Sequence, residues 1–197
     1  VGRNSGTVRA SGVSAPRLFA NSLYATLCAG GFAGGNSGVV QQCYAMADIE
    51  IGTINGGGVT LGGFAGSNTG SLRASYCATA MTSPNADIHG FAPTAGGVSG
   101  CCYLNGGTYS YGGHLYAYNT AANSFSSSAA GRPITGAELE KLRLSGFSRA
   151  AVTRYDGTDS YPYPAVVRND ANRVAHYGQW PTLEHIGTLG VFYWEYE

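Results

Sequence analysis

Charge is what this chain has least of. Only 11% of its 197 residues are Asp, Glu, Lys or Arg, against about 25% in ordinary globular domains. The two signs balance at eleven each and the formal net charge is zero. A phosphate-binding protein needs a basic face, so nucleic acid is excluded as a partner class. Lysine is nearly missing: Lys141 stands alone, which limits any Lys–Asn crosslink to that residue. No apolar run approaches the roughly 18 residues of a spanning helix, so no membrane insertion is expected within the segment. The five cysteines (Cys28, Cys43, Cys77, Cys101, Cys102) show no C-x-x-C spacing, which excludes a zinc ribbon and a redox pair. There is no N-x-Ser/Thr sequon. Large aliphatics are scarce too, but disorder goes with high net charge, and 23 aromatic residues supply apolar area here.

Glycine is abundant, at 31 residues, about twice its usual share. The length allows one sizeable core and no more than two small domains. The chain opens on Val1 inside a repeated motif, so a segment of a longer protein is expected, with targeting signals outside it.

The repeat organises the first half. Val1-Gly-Arg-Asn-Ser-Gly6 aligns with Ala33-Gly-Gly-Asn-Ser-Gly38 and with Ala65-Gly-Ser-Asn-Thr-Gly70, so Asn4, Asn36 and Asn68 are each 32 residues apart. Gly-Gly-Phe-Ala recurs at 30–33 and 62–65, and Tyr44 matches Tyr76. A fourth, decayed copy starts at Gly90-Phe91-Ala92. In it Tyr103 follows Ala92 at the offset that separates Tyr76 from Ala65, while Ala95 and Pro93 replace the Asn and a Gly.

Each copy holds a Gly-Phe-Ala strand signal, a Gly-x-Asn-x-Gly turn, and a second strand around Val8, Val40 or Leu72. One such unit cannot bury its own apolar face, whereas stacked units can. The reading is a mainly β chain: a right-handed β-solenoid of 32-residue repeats over 1–131, with successive strands about 4.8 Å apart. The three Asn side chains then superpose as a structural turn ladder along one edge, in preference to a polar binding row.

The pattern Gly-Gly-Phe-Ala-Gly-x-Asn-x-Gly-x-(Val/Leu)-x-x-(Cys/Ser)-Tyr resembles the GLUG motif, a repeat of large bacterial surface proteins that include adhesins and the non-catalytic parts of immunoglobulin A peptidases. The resemblance covers residues 1–104 in three good copies and one poor one. It implies a bacterial cell-surface, extracellular protein with a stalk or adhesive region, and it identifies no ligand.

In the repeat alignment Cys43, Ser75 and Cys102 share one column, so two thiols stack two copies apart. At about 9.6 Å that exceeds disulfide reach, and the expected use is as small core-filling thiols. A strained vicinal Cys101–Cys102 bridge stays open as an alternative.

Residues 103–118 carry five Tyr and one His. Tyr109 and Tyr111 alternate, as do Tyr116 and Tyr118, and with His114 they form the candidate binding surface for sugar rings or a protein partner. The competing reading is that this face covers the core. Residues 119–131 read as a low-complexity loop.

Region 132–197 comprises a capping helix and a Tyr/Pro-rich β or irregular part. Thr135 and Glu138 have capping-box spacing, and a helix is predicted over 136–145. Tyr161-Pro-Tyr-Pro164 and His176-Tyr-Gly-Gln-Trp-Pro181 follow, then a strand signal at Val191–Glu197 with Trp194 on its aromatic side. The two Tyr/Pro segments are loosely similar to ones that follow such repeats in surface and pilin-like proteins.

No catalytic residues, metal site or cofactor are expected. Residues 1–131 contain three acids, Asp48, Glu50 and Asp87; Asp48 and Glu50 could share a strand face as a pair of glycosidase carboxylates, but solvation at a turn explains them as well. H-E-x-x-H, G-x-S-x-G and P-loop motifs are missing. Asp156-Gly-Thr-Asp159 lacks the spacing of a calcium loop. The expected function is therefore a non-catalytic repeat domain for adhesion or as a stalk. Its expected partner is a host or neighbouring-cell surface protein or glycan, or neighbouring copies of itself. A subunit or tip component of a pilus-like appendage is the alternative, and a carbohydrate-active β-helix enzyme comes third.

Overall fold

The computed structural model describes residues 1–22, 26–54, 57–83, 86–111, 114–118, 130–140, 142, 147–148 and 163–164. Its architecture is mainly β, in parallel sheets. The largest sheet runs, in spatial order, Arg132–Ile134, Cys102–Leu104, Tyr76–Thr82, Tyr44–Ile54 and Gly12–Ser22. A second contains Val98–Ser99, Ser71–Arg73, Val39–Gln41 and Thr7–Arg9, and a third contains Asp87–His89, Val59–Gly62 and Leu27–Gly30.

The pairing register follows the repeat. Asn4 pairs with Asn36, Val8 with Val40, Cys28 with Thr60 and Tyr44 with Tyr76, each across 32 residues. Towards the fourth copy the offset shrinks. It is 27 where Ile88 meets Leu61, because the connection after Thr82 is five residues shorter than the one after its partner Glu50. It is 26 where Val98 meets Leu72, so the turn after Ala92 has lost one more residue.

That deletion corrects the sequence alignment. Cys102 pairs with Tyr76 and Tyr103 with Cys77. Cys101, not Cys102, therefore occupies the column of Cys43 and Ser75. The backbone agrees: Ala10, Gln42, Ala74 and Gly100 have φ of 50°, 57°, 42° and 60°, a left-handed corner repeated in four copies. The residue after each corner hydrogen-bonds back to the carbonyl two positions earlier. Ser11 Oγ reaches Arg9 O at 2.9 Å, Cys43 Sγ reaches Gln41 O at 3.2 Å, Ser75 Oγ reaches Arg73 O at 2.8 Å, and Cys101 Sγ reaches Ser99 O at 3.4 Å. Serine and cysteine interchange here because the corner needs only a small donor.

A Cβ in the left-handed region costs about 1 kcal/mol. Ala74→Gly is accordingly expected to stabilise the protein by about 0.5–1 kcal/mol, read as a raised urea midpoint. A lowered midpoint contradicts the assigned corner.

Among the described residues, two apolar clusters fill the interior. In one, Phe32, Phe64 and Phe91 stack with centroids 4.8 Å apart at both steps, beside Val40, Leu72, Ala45 and Cys77. Ile49, Ile51, Val59, Leu61, Met81 and Ile88 form the other. The opposite face of the large sheet is also buried, at Tyr44, Met46, Tyr76, Ala78 and Leu104, as parallel sheets require. A hairpin of Gly107–Tyr111 and His114–Tyr118 lies with its second strand against Tyr76–Thr82, and the helix Gly136–Glu140 lies against its first strand.

Thr135 and Glu138 close the helix start reciprocally. Glu138 N–H donates to Thr135 Oγ1 at 3.2 Å, and Thr135 N–H donates to Glu138 Oε2 at 2.8 Å. Leu139 and Leu142 are buried. Of the helix predicted over 136–145, Gly136–Glu140 is observed and Leu142 is not helical, while 141 and 143–145 lie outside the described residues. Arg132–Ile134 completes the five-stranded sheet, so the composition change at 131 does not separate this strand from the repeats. Further on, Phe147–Ser148 pairs antiparallel with Tyr163–Pro164. The 119–129 part of the low-complexity loop, the Asp156–Asp159 segment, the 176–181 segment and the Val191–Glu197 strand lie outside the described residues.

Candidate functional site

The Asn row is the most regular polar feature. Asn4 Nδ2 donates to Asn36 Oδ1 and Asn36 Nδ2 donates to Asn68 Oδ1, both at 2.8 Å. The second hydrogen of each amide goes to the carbonyl of its own turn glycine: Asn4 to Gly6 at 3.3 Å, Asn36 to Gly38 at 3.3 Å, and Asn68 to Gly70 at 3.4 Å. The fourth copy has Ala95 instead of Asn, and Asn68 Nδ2 reaches Gly96 O at 3.2 Å. All three Asn are buried, at 6%, 3% and 4% exposure. Both donor hydrogens of each amide are consumed within the protein, so the row holds turns together and offers no donor to a ligand. Glycine is required beside it. A Cβ on Gly38 or Gly70 would run into the carbonyl oxygen of Gly6 or Gly38, one copy earlier.

The aromatic hairpin is arranged by its antiparallel register. Tyr109 pairs with Tyr116, Tyr111 with His114, and Gly107 with Tyr118. Directly opposed residues share a face and alternate residues repeat it. All five candidates, Tyr109, Tyr111, His114, Tyr116 and Tyr118, thus occupy one face of the ribbon. The sequence showed the alternation within each strand, but only the hairpin register joins the two strands.

The three acids do not all come together. Asp48 and Glu50 sit at alternate positions of one strand, and the adjacent strand places Ala80 and Thr82 opposite them. Asp87 lies in a different sheet, with its Oδ2 2.9 Å from Nε2 of His89. His89 is buried and takes the register position of Gly62. Sequence reasoning passed over it, although Ile88-His-Gly-Phe91 laid over Leu61-Gly-Gly-Phe64 shows the exchange. Among the described residues no group of three or more His, Cys, Asp or Glu is placed to hold a metal ion.

All five cysteines are free thiols; Cys28 is exposed and the others are buried. The vicinal bridge left open by the sequence is not formed. Burial pushes the Cys43 and Cys101 thiols up to about 11 and that of Cys102 to about 12; Cys77 is raised as well, by burial first. Thiolates being the reactive form, a maleimide at pH 7.5 is expected to label Cys28 alone in the folded protein and all five in urea. Labelling of a second cysteine without denaturant contradicts the packing. In the unfolded chain these thiols ionise near pH 9, whereas in the folded one they stay protonated until about pH 11. Stability is thus held below pH 9 and lost as pH rises from 9 to 11.

Comparison with protein-family models, with curated proteins and with solved structures finds no match to this chain.

Proposed function

We propose that this chain is a β-solenoid segment of a bacterial surface protein, non-catalytic, serving as a stalk that also presents an adhesive face. The observation that carries the reading is the register. Three sheets and the amide row all step from copy to copy together, and side chains from each step fill the interior. Such a stack grows by adding units, which suits a spacer. The resemblance of the repeat to the GLUG motif adds the extracellular, bacterial setting.

The adhesive contact falls to the hairpin face of Tyr109, Tyr111, His114, Tyr116 and Tyr118. Tyrosine combines a flat apolar ring with a hydroxyl, which suits the faces of sugars and protein surfaces. The partner class is a glycan or protein on a host or neighbouring cell.

Two measurements test this. Antibodies to the chain are expected to label intact cells of the producing bacterium and to lose the signal after surface proteolysis; labelling only after lysis refutes display. Beads coated with the chain are expected to be retained on host cells, with retention reduced about tenfold by a Tyr109→Ser/Tyr116→Ser double variant. Equal retention of both proteins removes the hairpin from the role.

A further inference from the structure

The sheet of Thr7–Arg9, Val39–Gln41, Ser71–Arg73 and Val98–Ser99 has a filled inner side and an open outer one. Val8, Val40, Leu72 and Val98 pack into the interior, so alternation puts their neighbours outside. In register these read Arg9, Gln41, Arg73 and Ser99 along one row, with Thr7, Val39 and Ser71 along the row beside it. Arg9, Arg73 and Ser99 are exposed and Gln41 is half-buried.

Charge on this face has one sign. No strand of the sheet contains an acid. Asp48 and Glu50 lie in the five-stranded sheet and Asp87 in the three-stranded one. The ion pairs among the described residues are His89–Asp87 and Arg132–Glu138, and neither includes Arg9 or Arg73. Arg73 is steadied within its own strand, where its Nε donates to Ser71 Oγ at 2.8 Å. That bond leaves the two terminal nitrogens of the guanidinium for an anion. Two strand spacings separate Arg9 from Arg73, about 9.6 Å.

We propose that this face binds a linear acidic polysaccharide in which every second sugar carries a carboxylate. The polymer runs across the strands, with successive carboxylates at Arg9 and Arg73 and the neutral sugar between them over Gln41. A guanidinium takes a carboxylate through two parallel hydrogen bonds, and two linked sugar rings cover a span comparable to the arginine spacing. The hydroxyls of Thr7, Ser71 and Ser99 and the Gln41 amide both donate and accept, as sugar hydroxyls require. Nucleic acid fits poorly, because each strand bears a phosphate about every 3.4 Å and one arginine per two strand spacings leaves most of them unanswered. The hairpin packs against the five-stranded sheet, so the two surfaces are separate. This inference rests on the stacked register and not on the adhesive role of the hairpin.

The test is binding of the full chain to immobilised hyaluronan, in which an acidic sugar alternates with a neutral one. Binding is expected there and not on neutral dextran, and added salt is expected to weaken it. An Arg9→Gln/Arg73→Gln variant is expected to lose about tenfold or more in affinity at an unchanged urea midpoint. Gln41→Glu keeps both arginines and sets an acid between them; it is expected to cost about threefold or more. The Tyr109→Ser/Tyr116→Ser variant is expected to bind hyaluronan as the parent does, so failure of one surface is distinguishable from failure of the other. No binding to hyaluronan, or equal binding by the arginine variant, overturns the proposal. Equally tight binding of single-stranded oligothymidylate shows an unselective polyanion surface and overturns the polysaccharide assignment.

Discussion

Replacing Phe64 by Ala is expected to cost about 3–5 kcal/mol of stability. Phe64 is fully buried, and its ring lies between those of Phe32 and Phe91 at 4.8 Å on each side, tilted by 5° and 11°. Removing it leaves a cavity and also strands two stacked neighbours. Collapse is hindered because the backbone on both sides is held in register, with Phe32 N–H bonded to Phe64 O and Phe64 N–H to Phe91 O, each at 2.9 Å. Urea denaturation reads the loss directly. Phe32→Ala is the comparison: that ring stacks against Phe64 on one side, so it is expected to cost less. Equal costs would mean that the stack contributes nothing beyond burial.

Asn36→Leu is the second large effect, expected at about 2–5 kcal/mol. Leucine keeps the branching and the number of heavy atoms but can form none of the hydrogen bonds, so most of the cost lies in those bonds. Asn36 Oδ1 accepts from Asn4 and Asn36 Nδ2 donates to Asn68 at 2.8 Å each, with a further bond to Gly38 O. The substitution leaves a buried donor on Asn4 and a buried acceptor on Asn68, each costing about 1–3 kcal/mol when unsatisfied. Asn68→Leu is expected to be milder, since its far partner is the Gly96 carbonyl and no further Asn is left stranded. A cost below about 1 kcal/mol for Asn36→Leu would mean that the amide chain adds little to the net stability.

The repeat made much of this legible. Three Asn at one spacing, each two residues before a Gly, are enough to place a polar row at the turns. Gly-Phe-Ala recurring at the same spacing places the rings. What the sequence alone did not resolve is where the spacing breaks. A deletion inside a turn leaves no hydrophobic signature, so matching Tyr103 to Tyr76 looked natural. The structure instead sets Cys102 against Tyr76, because the corner at Gly100 and the donor at Cys101 fix the chain. The left-handed corner was illegible for a related reason: Ala10, Gln42 and Ala74 are residues that nothing marks as favouring positive φ. The five hairpin candidates were nameable from alternation, whereas their common face depends on a turn register that spacing does not give. His89 was missed because a histidine replacing a glycine in a decayed copy reads as divergence, not as a buried side chain paired with Asp87.

The central claim, that successive copies stack in register, is tested most directly by the Asn side-chain amides in solution. Nuclear Overhauser contacts are expected from the Asn4 amide protons to Asn36 and from the Asn36 amide protons to Asn68, with slow solvent exchange at both. Side-chain amides that exchange freely, with Asn36 showing contacts only within its own turn, would contradict the stack.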